Sequence, residues 1–457
     1  MGTEEVWGLV SAIWVVVATA LVLFMTPGVA FFYGGMTRAK ATLNMIMMSF
    51  AAIAVVGVVW VLWGYSMTAG SSVGGLFGNP LEMFGLSGLV ASDDLVSVAF
   101  GATFAIITVA LISGAIADRA KFSGWLFFSA LWVTLVYCPL AFMVWGGGLL
   151  SADGVIGGAF GEAIDFAGGT VVHINAGVAA LVLALLVGKR LGFGTDPAHR
   201  PHSVPLVMLG AAILWFGWFG FNAGAAGSVA EAGLIMVNTI AAPAAAMLGW
   251  LLVEKVRDGV PTSLGAASGV VAGLVAITPA CANVSPLGAV LIGLIAGVLS
   301  AFAVALKYRF GYDDSLDVVG VHLVSGLWGT IALGFLALPV DGEGGGLFYG
   351  GGAGQLVAQL AATVVAIVFS GVMTLLIGLL VHKTVGLRVD REAEIAGVDL
   401  TEHAETAWEF GGLGTSGSGF TLAPMSNESV AAEVVAEDKD HDESEPVPAR
   451  ATEEVGQ

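Results

Sequence analysis

Eleven long apolar runs constrain the fold of this chain more than any other feature. They fall at roughly 7–32, 43–66, 95–117, 123–146, 168–187, 204–222, 232–253, 263–280, 286–306, 318–339 and 355–382. A helix of about 20 apolar residues crosses a hydrocarbon core of about 30 Å. Only 11% of the residues are charged, against about a quarter in soluble domains. The sequence therefore predicts an all-α polytopic membrane protein with eleven transmembrane helices.

The distribution of lysine and arginine predicts the orientation of these helices. The connections after the odd-numbered runs contain Arg38, Lys40, Arg119, Lys121, Lys189, Arg190, Arg200, Lys255, Arg257, Lys307, Arg309, Lys383, Arg388 and Arg391. No connection after an even-numbered run contains either residue type. Because basic residues concentrate on the cytoplasmic side, we expect the N-terminus outside and the C-terminus inside. The first run is too long for a signal peptide and follows an acidic start, so we expect it to be retained.

Two copies of one motif predict internal symmetry. Asp165-Phe-Ala-Gly-Gly-Thr-Val-Val-His173 and Asp314-Ser-Leu-Asp-Val-Val-Gly-Val-His322 have the same eight-residue spacing from carboxylate to imidazole. The motifs lie in runs 5 and 10, which are predicted to cross the membrane in opposite directions. This indicates two inverted five-helix repeats plus one extra helix, an arrangement that forms sites near the midplane at the repeat interface.

The two histidines are the first candidate functional residues. A titratable side chain inside a membrane span is costly and by default indicates a functional pathway. If both helices begin near their aspartates, eight residues rise about 12 Å, so the rings of His173 and His322 approach each other at the centre of the bilayer. The alternative is that each histidine only hydrogen-bonds a neighbouring helix. The matched pair favours a functional pathway over two separate structural hydrogen bonds.

Aromatic residues form a second candidate set. Trp145 precedes three glycines at the end of run 4, Phe104 lies in run 3, and Trp218 and Phe221 lie near the end of run 6. Aromatic faces attract cations, by about 2 kcal/mol when both groups are desolvated. Aromatic residues also form belts at the membrane surface. The pattern alone is equally consistent with a vestibule that collects a small cation and with such a belt.

The motifs together resemble the ammonium transporter (Amt/Rh) family, from about Gly28 to Trp408. The resemblance is carried by Phe31-Phe-Tyr-Gly-Gly, Trp145-Gly-Gly-Gly, the Asp165–His173 motif, Gly217-Trp-Phe-Gly-Phe-Asn222 and Asp313-Asp-Ser-Leu-Asp317 leading to His322. It implies a homotrimer of eleven-helix subunits in the cell membrane, with one pore for ammonium or ammonia in each subunit.

The resemblance also implies roles for particular residues. Trp145 would line an outer vestibule, with Phe104 and Phe221 stacked as a gate below it. Asp165 would be a buried carboxylate that supports the vestibule from behind, and His173 and His322 would be the paired pore histidines. Trp218, from the same motif as Phe221, joins the predicted substrate-binding set. No metal site, cofactor or nucleic-acid partner is expected.

Two positions depart from the family pattern. Ala225 stands where many members have a serine, which removes a hydroxyl acceptor for the outer cation, and Phe100 stands where a glutamine often precedes the gate phenylalanine. A bare cation in an apolar bore is very costly, whereas neutral ammonia is not. Imidazole has an unperturbed pKa near 6.5 and two usable nitrogens, so it suits the relay of a released proton.

Three segments are predicted: a transmembrane domain over 1–383, a cytoplasmic regulatory segment over 384–410 and a disordered acidic tail over 411–457. From Asp390 onward there are 17 acidic and 3 basic residues, a balance of −14, so the first 389 residues carry only −5. Low hydropathy with high charge is typical of disorder. Gly386-Leu-Arg-Val389 and the residues up to Glu405 resemble the family's regulatory segment. That resemblance implies coupling between subunits and, in many bacteria, a PII-type nitrogen signalling partner.

Transport of ammonium or ammonia is the leading functional prediction, and two alternatives stay open. A Rhesus-like gas channel is favoured by the missing serine at position 225 and disfavoured by Trp145. An ammonium sensor that signals through its tail lacks an output domain, because about 45 flexible residues cannot fold one. An enzyme is least expected, since no nucleophile–base spacing or metal-ligand spacing appears in the sequence.

Overall fold

The computed structural model describes residues 3–195, 200–340 and 344–408. Its α-helices are Thr3–Met36, Thr42–Val59, Tyr65–Ala69, Leu95–Ile112, Phe122–Trp132, Cys138–Trp145, Val155–Phe160, Asn175–Val187, Val204–Ala223, Val229–Arg257, Ser263–Ile277, Pro286–Ala303, Leu306–Phe310, Val324–Leu336, Gly354–Thr384, Arg391–Ala396 and Val398–His403. Short 3₁₀ turns lie at Ala39–Ala41, Phe84–Leu86, Ser113–Ile116 and Leu347–Tyr349. A small antiparallel hairpin pairs Ser72–Val73 with Phe77–Gly78. The predicted all-α fold is confirmed.

Consecutive helices join into the membrane spans, which we number in chain order. Ten of them, in the described residues, are long and apolar enough to cross a bilayer: spans 1 to 7 are Gly8–Met36, Ala39–Ala69, Leu95–Ile116, Phe122–Trp145, Gly169–Val187, Val204–Ala223 and Val229–Arg257, and spans 9 to 11 are Pro286–Phe310, Val319–Leu336 and Gly354–Thr384. Span 8, Ser263–Ile277, is shorter. Its 15 residues rise about 23 Å, so the count of eleven crossings stays a prediction.

Hydroxyl side chains cap the N-termini of three consecutive spans in the second half of the chain. Ser228, Thr262 and Ser285 accept hydrogen bonds from the backbone N–H groups of Glu231, Gly265 and Gly288, at 3.1, 2.9 and 3.1 Å. Each bond satisfies an N–H group that has no partner within its own helix. These caps explain why spans 7, 8 and 9 begin where the apolar sequence begins.

Spans 5 and 10 enter the bundle from opposite ends. Asp165, before span 5, lies beside Trp145 at the end of span 4. Asp313, before span 10, lies beside Arg190, which follows span 5, and beside Arg119, which follows span 3. Because span 4 runs from the end near Arg119 to the end near Trp145, the two aspartate motifs lie at opposite ends of the molecule. This agrees with the predicted inverted repeats.

Four π-helical turns interrupt the spans that surround the centre of the bundle. They are Trp60–Gly64 in span 2, Val133–Tyr137 in span 4, Gly169–Ile174 in span 5 and Val319–Leu323 in span 10. Such turns insert one extra residue into the helix and occur frequently at functional sites. Both predicted pore histidines lie within π turns, in equivalent places of the two motifs.

A buried charge cluster fastens the spans together at the Asp313 end. The guanidinium of Arg190 binds both oxygens of Asp313, and its third nitrogen lies 2.9 Å from Asp118. Arg119 donates to the Gly188 and Asp313 carbonyl oxygens at 2.8 and 2.7 Å. Burial alone would raise the pKa of Asp313, but hydrogen bonds from Arg190 and the charges of Arg119 and Arg190 lower it. Breaking such a pair costs about 3–5 kcal/mol.

The first part of the predicted regulatory segment packs on the same end. The carboxylate of Asp399 accepts hydrogen bonds from the Leu43 and Asn44 N–H groups at 3.0 and 2.7 Å, and thereby caps span 2. Glu402 accepts from the Phe122 N–H at the start of span 4, at 2.9 Å. The backbone around Arg388 pairs with Ala120. The predicted tail, 411–457, lies outside the described residues, and the boundary between the two segments stays a prediction.

Candidate functional site

A cavity with aromatic walls opens at the Asp165 end of the bundle. Its volume is about 340 Å³, and Ala225 is among the residues that line it. Phe104 and Phe221 also line the cavity, and the rest of its aromatic lining is Trp60, Tyr65, Phe100, Tyr137, Trp145 and Phe166. No carboxylate is among the described residues that line the cavity. A small cation that enters it therefore meets ring faces and hydroxyl groups, which attract cations without an ion pair. We call this cavity the vestibule.

Trp145 is the last residue of span 4, and 43% of its surface is exposed. Its ring packs edge-on against Phe104, with centroids 6.3 Å apart and an interplanar angle of 88°. Its indole N–H donates to the backbone carbonyl of Asp165 at 2.8 Å. That hydrogen bond fixes the ring on the vestibule wall.

The carboxylate of Asp165 is buried and caps span 5 instead of lining the vestibule. It accepts backbone N–H groups of Gly168, Thr170 and Val171 at 3.0, 2.9 and 3.2 Å, and it also binds the Gly169 N–H and the Thr170 hydroxyl. A carboxylate at a helix N-terminus is stabilised by the N–H groups and by the helix dipole. Asp165 thus lies behind Trp145, in the supporting position that the resemblance implied.

Phe104 and Phe221 close the bottom of the vestibule. Their rings stack face to face, with centroids 4.2 Å apart and an interplanar angle of 16°. Phe104 comes from span 3 and Phe221 from span 6, so the stack joins the two halves of the chain. Both side chains are buried. Phe221 lines both this cavity and a smaller one deeper in the bundle.

A narrow bore continues below the phenylalanine stack. Its volume is about 10 Å³, about what one water-sized molecule requires. The polar side chains of its lining are those of His173, His322, Tyr33 and Trp218, and its apolar lining includes Met25, Val29, Phe32, Leu111, Leu214 and Val271. Such walls offer almost nothing to replace the hydration of an ion.

The structure places Trp218 in this bore and not in the vestibule. Its ring stacks on that of His173, with centroids 5.5 Å apart at 18°. Its indole N–H donates to the Thr278 hydroxyl at 2.8 Å. Trp218 was predicted to bind substrate together with Phe221 at the outer end of span 6. Because it lies three residues earlier on that helix, it packs on the ring of His173 instead.

The two histidine rings meet in the bore. Their Nδ1 atoms are 3.3 Å apart and the centroids 5.4 Å apart. Spans 5 and 10 begin about four residues after Asp165 and Asp314 and not at these aspartates. The rings still meet, because the helix start is displaced by about the same number of residues in both motifs. One Nδ1 must carry the proton that the other accepts, so in the neutral pair one Nε2 is an acceptor and the other a donor. His173 Nε2 has no protein partner among the described residues.

Two glycines let the histidine-bearing spans approach each other. A Cβ atom on Gly177 would lie 2.6 Å from Leu323 Cβ, and one on Gly326 would lie 3.1 Å from His173 Cβ. Each glycine lies four residues after its own histidine, in the equivalent place of the two spans. Small residues of this kind allow close helix packing in membranes. The symmetry of the histidine pair therefore extends to its packing.

The model of the Ammonium Transporter Family matches residues 13–408. This chain belongs to the ammonium transporter family. The transporter is 54% identical over 429 residues to an "Ammonium transporter" of Mycobacterium tuberculosis strain H37Rv, covering 87% of this chain and 90% of that protein. It is 43% identical over 399 residues to "Ammonium transporter Amt1" of Archaeoglobus fulgidus, covering 86% and 98%.

Solved structures share the fold of the transporter. Candida albicans Mep2 superposes with a TM-score of 0.76 at 33% identity, over 84% of this chain and 86% of that one. A structure titled "Sensor Amt Protein" superposes with a TM-score of 0.80 at 29% identity, over 88% and 100%. The multi-pass membrane fold and ammonium transport are thereby established, and the curated relatives favour transport over sensing.

Several residues around the transporter's site were not predicted from the sequence. Tyr65, Thr68 and Ser97 bring hydroxyl groups to the vestibule lining. Ser97 could have been found, because it lies seven residues before Phe104, a spacing that puts both on one face of span 3. Gln359 of span 11 was not predicted either, although an amide in an apolar span is a recognisable signal.

Proposed function

We propose that this transporter takes up ammonium as ammonia plus a separately relayed proton, along the line from the vestibule through the phenylalanine stack to the histidine pair. The observation that carries the proposal is the vertical order of the groups. Cation-attracting rings come first, a closed apolar gate second, and a pair of titratable rings in an otherwise apolar bore third.

Capture takes place in the vestibule. The faces of Trp145 and Phe104 attract ammonium, and hydroxyl groups among the other lining residues accept its N–H groups. A cation–π contact contributes about 2 kcal/mol when desolvated. Selection against larger cations follows from the narrow floor, where the rings of Phe104 and Phe221 stack.

Deprotonation accompanies passage through the gate. The transfer of a bare ion from water into an apolar bore costs many kcal/mol, so ammonium releases a proton and enters the bore as neutral ammonia. Ammonia then passes the rings as a neutral, water-sized molecule. This step explains why a transporter for a cation has an apolar pore.

The histidine pair relays the proton. Because the two Nδ1 atoms share one hydrogen, a proton taken up at the free Nε2 acceptor of one ring is balanced by release from the Nε2–H of the other. The shared hydrogen shifts between the Nδ1 atoms of His173 and His322, 3.3 Å apart, and the pair returns to neutrality. Trp218 stacks on His173 and holds that ring in the orientation in which the two Nδ1 atoms meet.

The sidedness and assembly of the transporter belong to the same proposal. The basic residues after the odd-numbered spans support a cytoplasmic Asp313 end, with the vestibule outside. The family resemblance supports eleven crossings, a trimer, and a PII-type partner at the cytoplasmic face near the 384–410 segment.

Currents across proteoliposome membranes test the proposal. An ammonium pulse should drive a saturable inward current in proteoliposomes that contain the transporter, because one proton charge accompanies each ammonia. Protein-free liposomes provide the baseline. Ammonia flux without current, followed by internal alkalinisation alone, would support the gas-channel alternative and contradict the relay.

A further inference from the structure

Gln359 is a buried amide at the outer end of span 11 that the proposed pathway does not use. Its side chain has no exposed surface. Its Oε1 accepts the Ile164 N–H at 2.7 Å, and its Nε2 donates to the carbonyls of Ile164 and Thr330, both at 2.9 Å. Gln355 donates to the same Oε1 at 3.0 Å. These bonds fix which end of the amide carries the oxygen and satisfy the whole group.

The peptide that Gln359 holds lies next to the vestibule. Ile164 belongs to the irregular segment 161–168 between spans 4 and 5, which has no helix or strand of its own. The next residue, Asp165, caps span 5 with its carboxylate and holds Trp145 with its carbonyl. Gln359 is therefore connected to the indole ring of Trp145 through two hydrogen bonds and the two adjacent residues Ile164 and Asp165.

The third bond of Gln359 connects this segment to the histidine-bearing spans. Thr330, whose carbonyl it binds, lies on span 10 eight residues after His322, towards the Asp165 end of the bundle. A Cβ atom on Gly169, the first residue of span 5, would lie 2.8 Å from the Thr330 hydroxyl. One amide thus fixes the relative position of the entry segment, span 10 and span 11 at the outer end of the pore.

We propose that Gln359 is a positioning residue that sets the ammonium affinity of the vestibule through Trp145. The inference rests on the proposed role of the vestibule. Loss of the amide leaves the N–H and C=O of Ile164 unpaired and removes the second hydrogen bond of the Thr330 C=O, which keeps only its helical bond. Buried groups without a partner are costly, so the Ile164 peptide would move towards water. The 161–168 segment would shift, and the Asp165 carbonyl would no longer hold the indole in place. The gate and the histidines make no contact with this amide and should keep their function.

Half-saturation measurements in proteoliposomes test the proposal. The variants are Gln359→Leu, which removes all polar contacts, and Gln359→Glu, which keeps the acceptor for the Ile164 N–H. Thr363→Val is the matched control, because Thr363 is buried one turn further along the same helix and its hydroxyl has no partner among the described residues. We expect Gln359→Leu to raise the half-saturating ammonium concentration about threefold to tenfold at nearly unchanged maximal current, with Gln359→Glu between and Thr363→Val unchanged.

A double-mutant cycle with Trp145→Leu separates positioning from a general loss of stability. If Gln359 acts through Trp145, adding Gln359→Leu to Trp145→Leu should raise the half-saturating concentration no further. An additive rise, or a lower maximal current at unchanged half-saturation, would overturn the proposal.

The same series separates this proposal from the one on which it rests. A normal half-saturation in Gln359→Leu with a raised one in Trp145→Leu would overturn the positioning role and leave the vestibule intact. A normal value in Trp145→Leu would overturn both. Should Gln359→Leu fail to assemble, a wild-type half-saturation in Gln359→Glu would overturn the role of Gln359.

Discussion

Single residues explain how a cavity with no carboxylate on its described walls can collect a cation. Trp145 presents its ring at the mouth and is held by the Asp165 carbonyl, while the Asp165 carboxylate is occupied by the N-terminus of span 5. The negative charge thus acts on the structure around the cation and not on the cation itself. Under the proposed function, this separation lets ammonium leave its place in the vestibule without the breaking of an ion pair.

The side chain at position 225 should set the ammonium affinity. Ala225 lines the vestibule, so Ala225→Ser would add a hydroxyl acceptor on the wall. A hydrogen bond to a charged group contributes about 1.5–3 kcal/mol, less where water replaces it. We expect Ala225→Ser to lower the half-saturating ammonium concentration with little change in maximal current, and Trp145→Leu to raise it. A concentration series of currents measures both, and an unchanged value in Ala225→Ser would mean that residue 225 does not contact the cation.

Close packing at Gly177 should be required for the histidine pair. A methyl group there would lie 2.6 Å from Leu323 Cβ, and such overpacking costs about 1–3 kcal/mol. We expect Gly177→Ala to lower the thermal stability of the purified transporter and its current together. Gly371→Ala is the control, since its added Cβ would meet Val178 at an ordinary 3.5 Å. Equal melting temperatures for the two variants would contradict the packing argument.

At the scale of elements, sequence patterns located the spans well and their interruptions poorly. Runs of apolar residues predicted the ten long spans, because a helix that crosses the hydrocarbon core needs about 20 consecutive apolar residues. The π turns at Gly169–Ile174 and Val319–Leu323 were not predicted. One extra residue in an already uniformly apolar helix leaves no change of periodicity to detect.

Side-chain direction was the other part that sequence could not supply. Trp218 and Phe221 come from one motif, yet one stacks on a histidine and the other on Phe104. Only the packing of spans 3, 5 and 6 decides this. The pairing of His173 with His322 was predictable because the repeated motif fixes both spans alike.

Transport should require the regulatory segment 384–410 and not the tail 411–457. Asp399 caps span 2 and Glu402 binds the start of span 4, so removal of everything beyond Lys383 takes caps from two spans. We expect that deletion to reduce transport strongly and deletion of 411–457 to leave it nearly intact. Currents normalised to the amount of assembled protein measure the difference. A more harmful short deletion would show that the predicted boundary is wrong.

At the scale of the whole molecule, the two ends of the transporter differ in charge. Lysine and arginine follow only the odd-numbered runs, and the opposite end carries carboxylates, of which Glu82, Asp93, Asp94, Asp153 and Glu162 are exposed. An acidic rim raises the local concentration of cations, and salt screens it over about 10 Å at 0.1 M. The charge of the rim therefore acts before any contact with the vestibule.

Ionic strength should consequently change ammonium capture. We expect the half-saturating ammonium concentration to rise as inert salt is increased, with the maximal current constant. In a variant with the five exposed rim carboxylates changed to amides, the half-saturating ammonium concentration should rise less as inert salt is increased. If wild type and this variant respond equally to salt, the rim does not steer ammonium.

The relay of protons across the histidine pair is the central claim, and it can be measured directly. His173→Ala and His322→Ala each remove one of the two Nδ1 atoms that lie 3.3 Å apart, while Thr363→Val serves as a control for substitutions inside the spans. The measurement is the current driven by an ammonium pulse in proteoliposomes with equal amounts of assembled protein. The account predicts that both histidine variants fall to the level of protein-free liposomes and that the control keeps the wild-type current. Wild-type currents in both histidine variants would contradict it.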